Sequence, residues 1–270
     1  QNNGAAIAGL EFERQGKIVN LIKLESQPAH KSSLLFPFPN RLKDGQFEFE
    51  GQQYSFEHND YGRPNALHGF ISDKHFQLKE HTNQFLSFIY TYEGNDPSYP
   101  FPFKLEVAYT LYESELNIEL EITNTGGGDM PCGFGWHPYF SADLSADSTR
   151  LKLPNLSKIH VDERLIPNGE ESPMKGYEEF RSIAGEEFDN CFRLERIQER
   201  NSVFLNYPKL ATVEIWQDHN FPFLQLFKVD DQAIAIEPMS CGIDALNSKE
   251  GLKILSPQQE WALTMGLKIY

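Results

Sequence analysis

Period-two alternation runs through much of the chain. In the segment ELNIELEIT, Leu116, Ile118, Leu120 and Ile122 fall on one face, while Glu115, Asn117, Glu119 and Glu121 fall on the other. That pattern is the signature of a strand with one face in a core and one in solvent. Upstream, Phe103, Leu105, Val107, Tyr109 and Leu111 alternate in the same way, and YESE separates the two runs, so a β-hairpin is predicted here. A second hairpin is predicted where Phe47 and Phe49 meet Tyr54 and Phe56 across the EGQQ turn. Near the C-terminus, Leu263, Met265, Leu267 and Ile269 share one face of a further strand. No long amphipathic helix interrupts these runs, and 19 glycines and 16 prolines punctuate them. The predicted class is all-β, an antiparallel sandwich or barrel.

The 270 residues show no composition shift that would mark a linker, so residues 1–270 are predicted to form one large β domain. Asn124–Asp129, reading NTGGGD, is glycine-rich but has no helix after it, and it is read as a loop between strands rather than a phosphate cradle. The formal net charge is −15, which disfavours a nucleic-acid backbone or an anionic bilayer as partner and leaves small molecules as the expected ligands. No apolar run reaches the length of a membrane span. Cys132, Cys191 and Cys241 are widely spaced and odd in number, a pattern of neither a disulfide framework nor a zinc knuckle. A reducing, cytoplasmic location is therefore expected. Gln1 opens no recognisable signal segment, although removal of a leader is compatible with a chain that does not begin with methionine.

Candidate chemistry is concentrated in a few places. His30, His58, His75, His81, His160 and His219 lie in polar or turn-like surroundings without metal-ligand spacing. His68, in NALHGF, precedes Gly69, where the backbone can approach another group closely. His137 sits in GFGWHPYF, an apolar stretch of glycines and aromatics. Each of the two histidines reads locally either as a satisfied core residue or as a functional one. In AIAIEPM, Glu237 follows the apolar run Ala233–Ile236 and precedes Pro238, so the strand is predicted to leave the sheet at Glu237. An acid in that position is either a hydrogen-bond hub or a poised base. Asp189 lies between Phe188 and Phe192, and Arg41 follows a proline-rich approach, FPFPN.

In order along the chain, PFPNRLKDGQFEFEGQQY, NALHGF, GWHPYF, EFDNCF, FPFLQLF, AIEPMSCGIDALN and LSPQQEW resemble the bacterial aldose 1-epimerases, or galactose mutarotases. The resemblance implies an antiparallel β-supersandwich with a shallow sugar cleft, and interconversion of the α and β anomers of a free monosaccharide by a monomer or homodimer. Matched motif by motif, Glu237 takes the position of the catalytic base and His137 that of the acid. His68 then stands near the ring oxygen, and Arg41, Asp189, Asn65, Trp136 and Gln225 fall at sugar-binding positions. The implied chemistry moves protons only, so neither metal nor organic cofactor is expected. A glutamate with a reference pKa of ~4.3 and a histidine near ~6.5 suit it. Trp136, Tyr139 and Phe140 are all available to line the cleft around His137. Phe70 and the pair Ser141–Ala142 depart from the commoner family pattern and are expected to bear on substrate choice. A hexose-6-phosphate mutarotase, which would present extra basic residues around the cleft, and a non-catalytic sugar-binding protein are the alternatives on the same fold.

Overall fold

A computed structural model describes residues 3–14, 16–23, 32–141, 149–228 and 233–270. Among these residues two large antiparallel sheets dominate. The first has nine strands, in the spatial order Arg181–Ser182, Arg150–Lys152, Arg200–Tyr207, Ala211–Asp218, Glu260–Ile269, Glu115–Asn124, Phe103–Leu111, Phe85–Tyr92 and Gln77–His81. The second runs from Pro167–Pro173 through Leu156–Val161, Asp189–Leu194, Phe223–Lys228, Ala233–Met239 and Gly135–Trp136 to Leu34–Leu35, and Tyr139–Ser141 also pairs with Ala233–Met239. The architecture is the expected all-β one. No helix among the described residues is long and apolar enough to cross a membrane.

The alternation read from the sequence is realised directly. Phe103–Leu111 pairs with Glu115–Asn124 in unbroken register from Phe103 opposite Asn124 to Leu111 opposite Leu116. Phe103, Leu105, Val107, Tyr109, Leu116, Ile118, Leu120 and Ile122 are buried in the main core, whereas Leu111, at the hairpin end, is exposed. Phe47 faces Tyr54 across the second hairpin. The main core fills the space between the sheets, and from the second sheet it receives Trp136, Phe140, Phe192, Leu224, Leu226, Ile234 and Ile236.

The outer face of the second sheet carries a different set of residues. Period two turns His137, Tyr139, Gln225, Phe227, Ala235 and Glu237 away from the main core. Two small apolar clusters lie apart from the main core: Ile159, Ile166, Cys191, Phe223, Met239 and Ile243 in one, and Tyr139, Ala233 and Ala235 with Phe227, from this row and its strands, in the other.

The expected end of the strand at Glu237 is corrected here. The strand is Ala233–Met239, and it stays paired with Phe223–Lys228 through Glu237 opposite Gln225 and Pro238 opposite Leu224. Pro238 is tolerated in the sheet because the strand on the other side is interrupted beside it. Gly135 pairs with Met239 and Tyr139 with Ala235, and between them Trp136–Pro138 carry no ladder pairing to this strand. The proline's missing N–H thus costs no ladder bond on that side.

Gly69 has the positive φ of +65° that favours glycine, and a Cβ there would overlap the Phe36 carbonyl. The close approach foreseen at this position is thus made to backbone rather than to a ligand. Gly69→Ala is expected to lose about 2–4 kcal/mol of stability, read by urea unfolding, because it combines left-handed strain with overpacking.

Candidate active site

Segments on either side of the interruption share one register, and extrapolating it across the gap sets His137 directly opposite Glu237. Their side chains meet: His137 Nε2 lies 3.3 Å from Glu237 Oε1. Both are almost fully buried, His137 at 4% and Glu237 at 1% exposure. They form the floor of a cleft of about 450 Å³ lined also by Asn40, Arg41, Tyr61, Arg63, Leu67, His68, Tyr139, Leu165, Asp189, Gln225 and Phe227.

Each remaining wall of the cleft has its own support. His68 follows the short strand Asn65–Leu67, which pairs with Arg41–Lys43, and takes the left-handed conformation at φ +66°. Its backbone N–H donates to the Asn40 carbonyl at 2.9 Å, and its Nδ1 accepts the Asn40 backbone N–H at 3.1 Å. In the neutral ring this leaves the proton on Nε2. The His68 and His137 rings stand edge to face with centroids 5.3 Å apart. Tyr139, two residues along the same face from His137, stacks on its ring at 4.9 Å and 29°. Gln225, opposite Glu237, accepts from Asn40 Nδ2 and donates to Asp189 Oδ1, both at 3.1 Å, so a hydrogen-bonded row crosses the sheet.

Arg41 is aimed by Asp60, whose side chain is wholly buried. The guanidinium Nε donates to Asp60 Oδ2 at 2.9 Å, and the same oxygen accepts from Asn65 Nδ2 at 2.9 Å. Asn65 also donates to the Arg164 carbonyl and accepts from Arg164 Nη2, tying the segment before His68 to the neighbouring loop.

The site alters the titration of Glu237. Burial pushes its carboxyl well above the ordinary carboxylate range; Asp189 reinforces the shift and Arg41 opposes it. Its Oε2 is buried and accepts no hydrogen bond from the protein. The reference value used in reading the sequence is therefore corrected upward. Tyr139 is also raised, by burial first and then by the charge of Glu237.

Of the residues singled out in the sequence, Glu237, His137, His68, Arg41, Asp189 and Gln225 meet at the cleft. Two do not line it. Trp136 is fully buried, and its indole N–H donates to the Ser32 carbonyl, because alternation turns it to the face opposite His137. Asn65 is fully buried beneath Arg164 and Asp60 and supports the cleft from behind. Among the three aromatics of the motif, Tyr139 lines the cleft, and Phe140 joins Trp136 in the core. Phe70 packs on Tyr92, Tyr99 and Phe103 away from the cleft, and Ser141 is outside its lining. Ala142 and His30 lie outside the described residues. The other five histidines stand apart from the site. Asn40, Tyr61, Arg63, Leu67, Leu165 and Phe227 went unnoticed in the sequence. Tyr61 and Arg63 carried a local signal, the turn-forming DYGR, whereas Leu165 and Phe227 reach the cleft only through tertiary placement. Among the described residues no group of three or more His, Cys, Asp or Glu is arranged to hold a metal ion.

The model of the family described as Aldose 1-epimerase matches residues 2–268, and the chain belongs to that family. YihR of Escherichia coli K12, a protein described as uncharacterized, is 28% identical over 264 residues, covering 93% of this chain and 83% of YihR. Human galactose mutarotase is 26% identical over 188 residues, covering 64% of this chain and 54% of the human protein. Among solved structures, a galactose mutarotase-like protein from Clostridium acetobutylicum superposes with a TM-score of 0.87 at 21% identity, covering 100% of this chain and 90% of that one. A GalM/aldose epimerase homologue from Caenorhabditis elegans gives 0.84 at 20% identity, covering 100% and 94%. These superpositions establish a galactose mutarotase-like fold.

The raised pKa of Glu237 makes a prediction about stability. The folded state holds this proton to higher pH than the unfolded chain, so wild-type stability should be lost progressively as pH rises above the unfolded value of ~4.3. Glu237→Gln has no such group to ionise. Urea unfolding from pH 4 to 8 should therefore show the variant gaining on wild type steadily as pH rises. A difference that stays constant with pH would contradict the assignment.

Proposed function

We propose that this member of the aldose 1-epimerase family is a mutarotase acting on a free aldose of the galactose or glucose class, with Glu237 as base, His137 as acid and residues 1–270 as its catalytic domain. The observation that carries this reading is the 3.3 Å approach of His137 to Glu237 on the floor of the cleft. Ring opening takes a proton from the anomeric O1 while delivering one to the ring oxygen O5. These two oxygens sit on the same carbon. An acid and a base held side by side therefore address both at once, where groups on opposite walls would not.

In the forward step Glu237 takes the O1 proton, the O1 electron pair forms the aldehyde C=O, the C1–O5 bond breaks, and His137 protonates O5. Rotation about C1–C2 exposes the other face of the aldehyde. Closure reverses both transfers, and the enzyme ends in its starting protonation state. Desolvation suits Glu237 to its role, because raising a carboxyl toward neutral pH makes it a stronger base while leaving it able to ionise. His68, whose neutral ring carries its proton on Nε2, donates to a ring substituent near O5. Tyr139 keeps the His137 imidazole facing Glu237, while Arg41, Asp189 and Gln225 bind hydroxyl groups.

Freshly dissolved α-D-galactose and α-D-glucose, followed by optical rotation, provide the test. The wild-type protein should accelerate equilibration, and Glu237→Gln should lose at least ~10²-fold, the lower range for a positioned proton-transfer group. Because Glu237 must be ionised to act, activity should rise with pH through its elevated pKa. The acid limb is expected above the ordinary carboxylate range, and a limb centred near pH 4.3 would contradict the role given to burial. Equal rates in the two proteins would remove Glu237 from the mechanism.

A further inference from the structure

Part of the cleft lining is built on a tight turn, Asp60–Arg63. The Arg63 N–H donates to the Asp60 carbonyl at 2.8 Å, and both central residues have positive φ, Tyr61 at +42° and Gly62 at +88°. That conformation is ordinary for glycine and unfavourable for tyrosine. The turn sets the Tyr61 ring, 76% exposed, and the Arg63 guanidinium at the cleft.

Charge around this turn is unbalanced. One buried carboxylate, Asp60, lies between two guanidinium groups. Asp60 Oδ2 is taken by Arg41 and Asn65, and Arg63 Nη1 comes no nearer to Asp60 Oδ1 than 3.9 Å, beyond hydrogen-bond reach. Arg164, the third arginine nearby, is neutralised by Asp44 at 2.7 Å. Arg63 therefore keeps its fork of N–H donors unspent among the described residues, and its side chain is 37% exposed at the cleft. Arg63 thus brings an unspent guanidinium to a cleft whose lining also holds Glu237 and Asp189.

From these unspent donors in the cleft lining we infer that Arg63 is a specificity residue for an aldose bearing an oxyanion on its exocyclic carbon, with C1 directed at Glu237 and His137 and the anionic group held by the Arg63 fork. The inference rests on the mutarotase reading for the direction of C1, and it narrows the galactose or glucose class of that reading to forms charged at C6. A guanidinium with free donors is the side chain best matched to carboxylate or phosphate oxygens, whereas a neutral hydroxymethyl group would leave its charge unanswered. Tyr61, on the same turn, offers its ring to the sugar's C–H face.

Calorimetric binding of D-glucose, D-glucose 6-phosphate and D-glucuronate to wild type, Arg63→Gln and Arg63→Lys tests this without requiring turnover. Wild type should bind at least one of the charged sugars about tenfold or more tighter than glucose, and the better of the two identifies phosphate or carboxylate as the group read. Arg63→Gln should weaken that sugar at least tenfold more than it weakens glucose. Arg63→Lys, which keeps the charge but loses the fork, should fall between. Equal affinity of wild type for all three sugars, or a parallel loss for charged and neutral sugars in Arg63→Gln, overturns the inference. Anomer exchange measured on the same sugars separates the two proposals. A binding preference without exchange upholds Arg63 and sinks the mutarotase reading; exchange without a preference does the reverse.

Discussion

The site depends on one cross-strand contact, His137 against Glu237, made where a sheet is locally open. Two prolines sit at the opening: Pro138 follows the histidine and Pro238 follows the glutamate, and neither has an N–H to give to a ladder. The sheet is paired again at Gly135 and at Tyr139. Strand register therefore fixes the two side chains relative to each other as firmly as it fixes any pair in the core. Two titratable groups placed in this way need no mobile loop to bring them together.

The same arrangement carries a cost in stability. Glu237 is buried with one oxygen lacking a protein hydrogen bond, and Asp189 nearby adds a second negative charge. A carboxylate so placed costs free energy to ionise, which is the physical origin of its basicity. Rigidity around it comes from satisfied polar contacts. Asn40 grips both His68 and Gln225, Gln225 grips Asp189, and Asp60 holds Arg41 and Asn65. The under-satisfied group sits within a well-satisfied shell, as expected where a fold tolerates local disfavour for the sake of chemistry.

Much of this was legible in the sequence. Strand alternation gave the sheets and their buried faces, because a half-buried strand must alternate. The motif order located Glu237, His137, His68, Arg41, Asp189 and Gln225. Alternation alone also separates Trp136 from His137, adjacent residues that must point to opposite faces, and so turns Trp136 away from the cleft. Other features were not legible. The persistence of the strand through Pro238 depends on a gap in its neighbour, which no local rule reveals. Asn65 reads as a ligand-facing residue until Asp60 and Arg164 are seen to consume its side chain. Leu165 and Phe227 reach the cleft through long-range packing, and the free donors of Arg63 emerge only once the oxygens of Asp60 have been assigned.

If His137 and Glu237 act as one proton-handling unit, removing either should disable the step and removing both should add little. The most direct measurement is a double-mutant cycle, with Glu237→Gln, His137→Asn and the double variant compared by NMR magnetisation exchange between the two anomers of one aldose. The account predicts that the double variant is no more than a few-fold slower than the worse single variant. Losses that multiply across the cycle would mean that the two groups work independently and would contradict it.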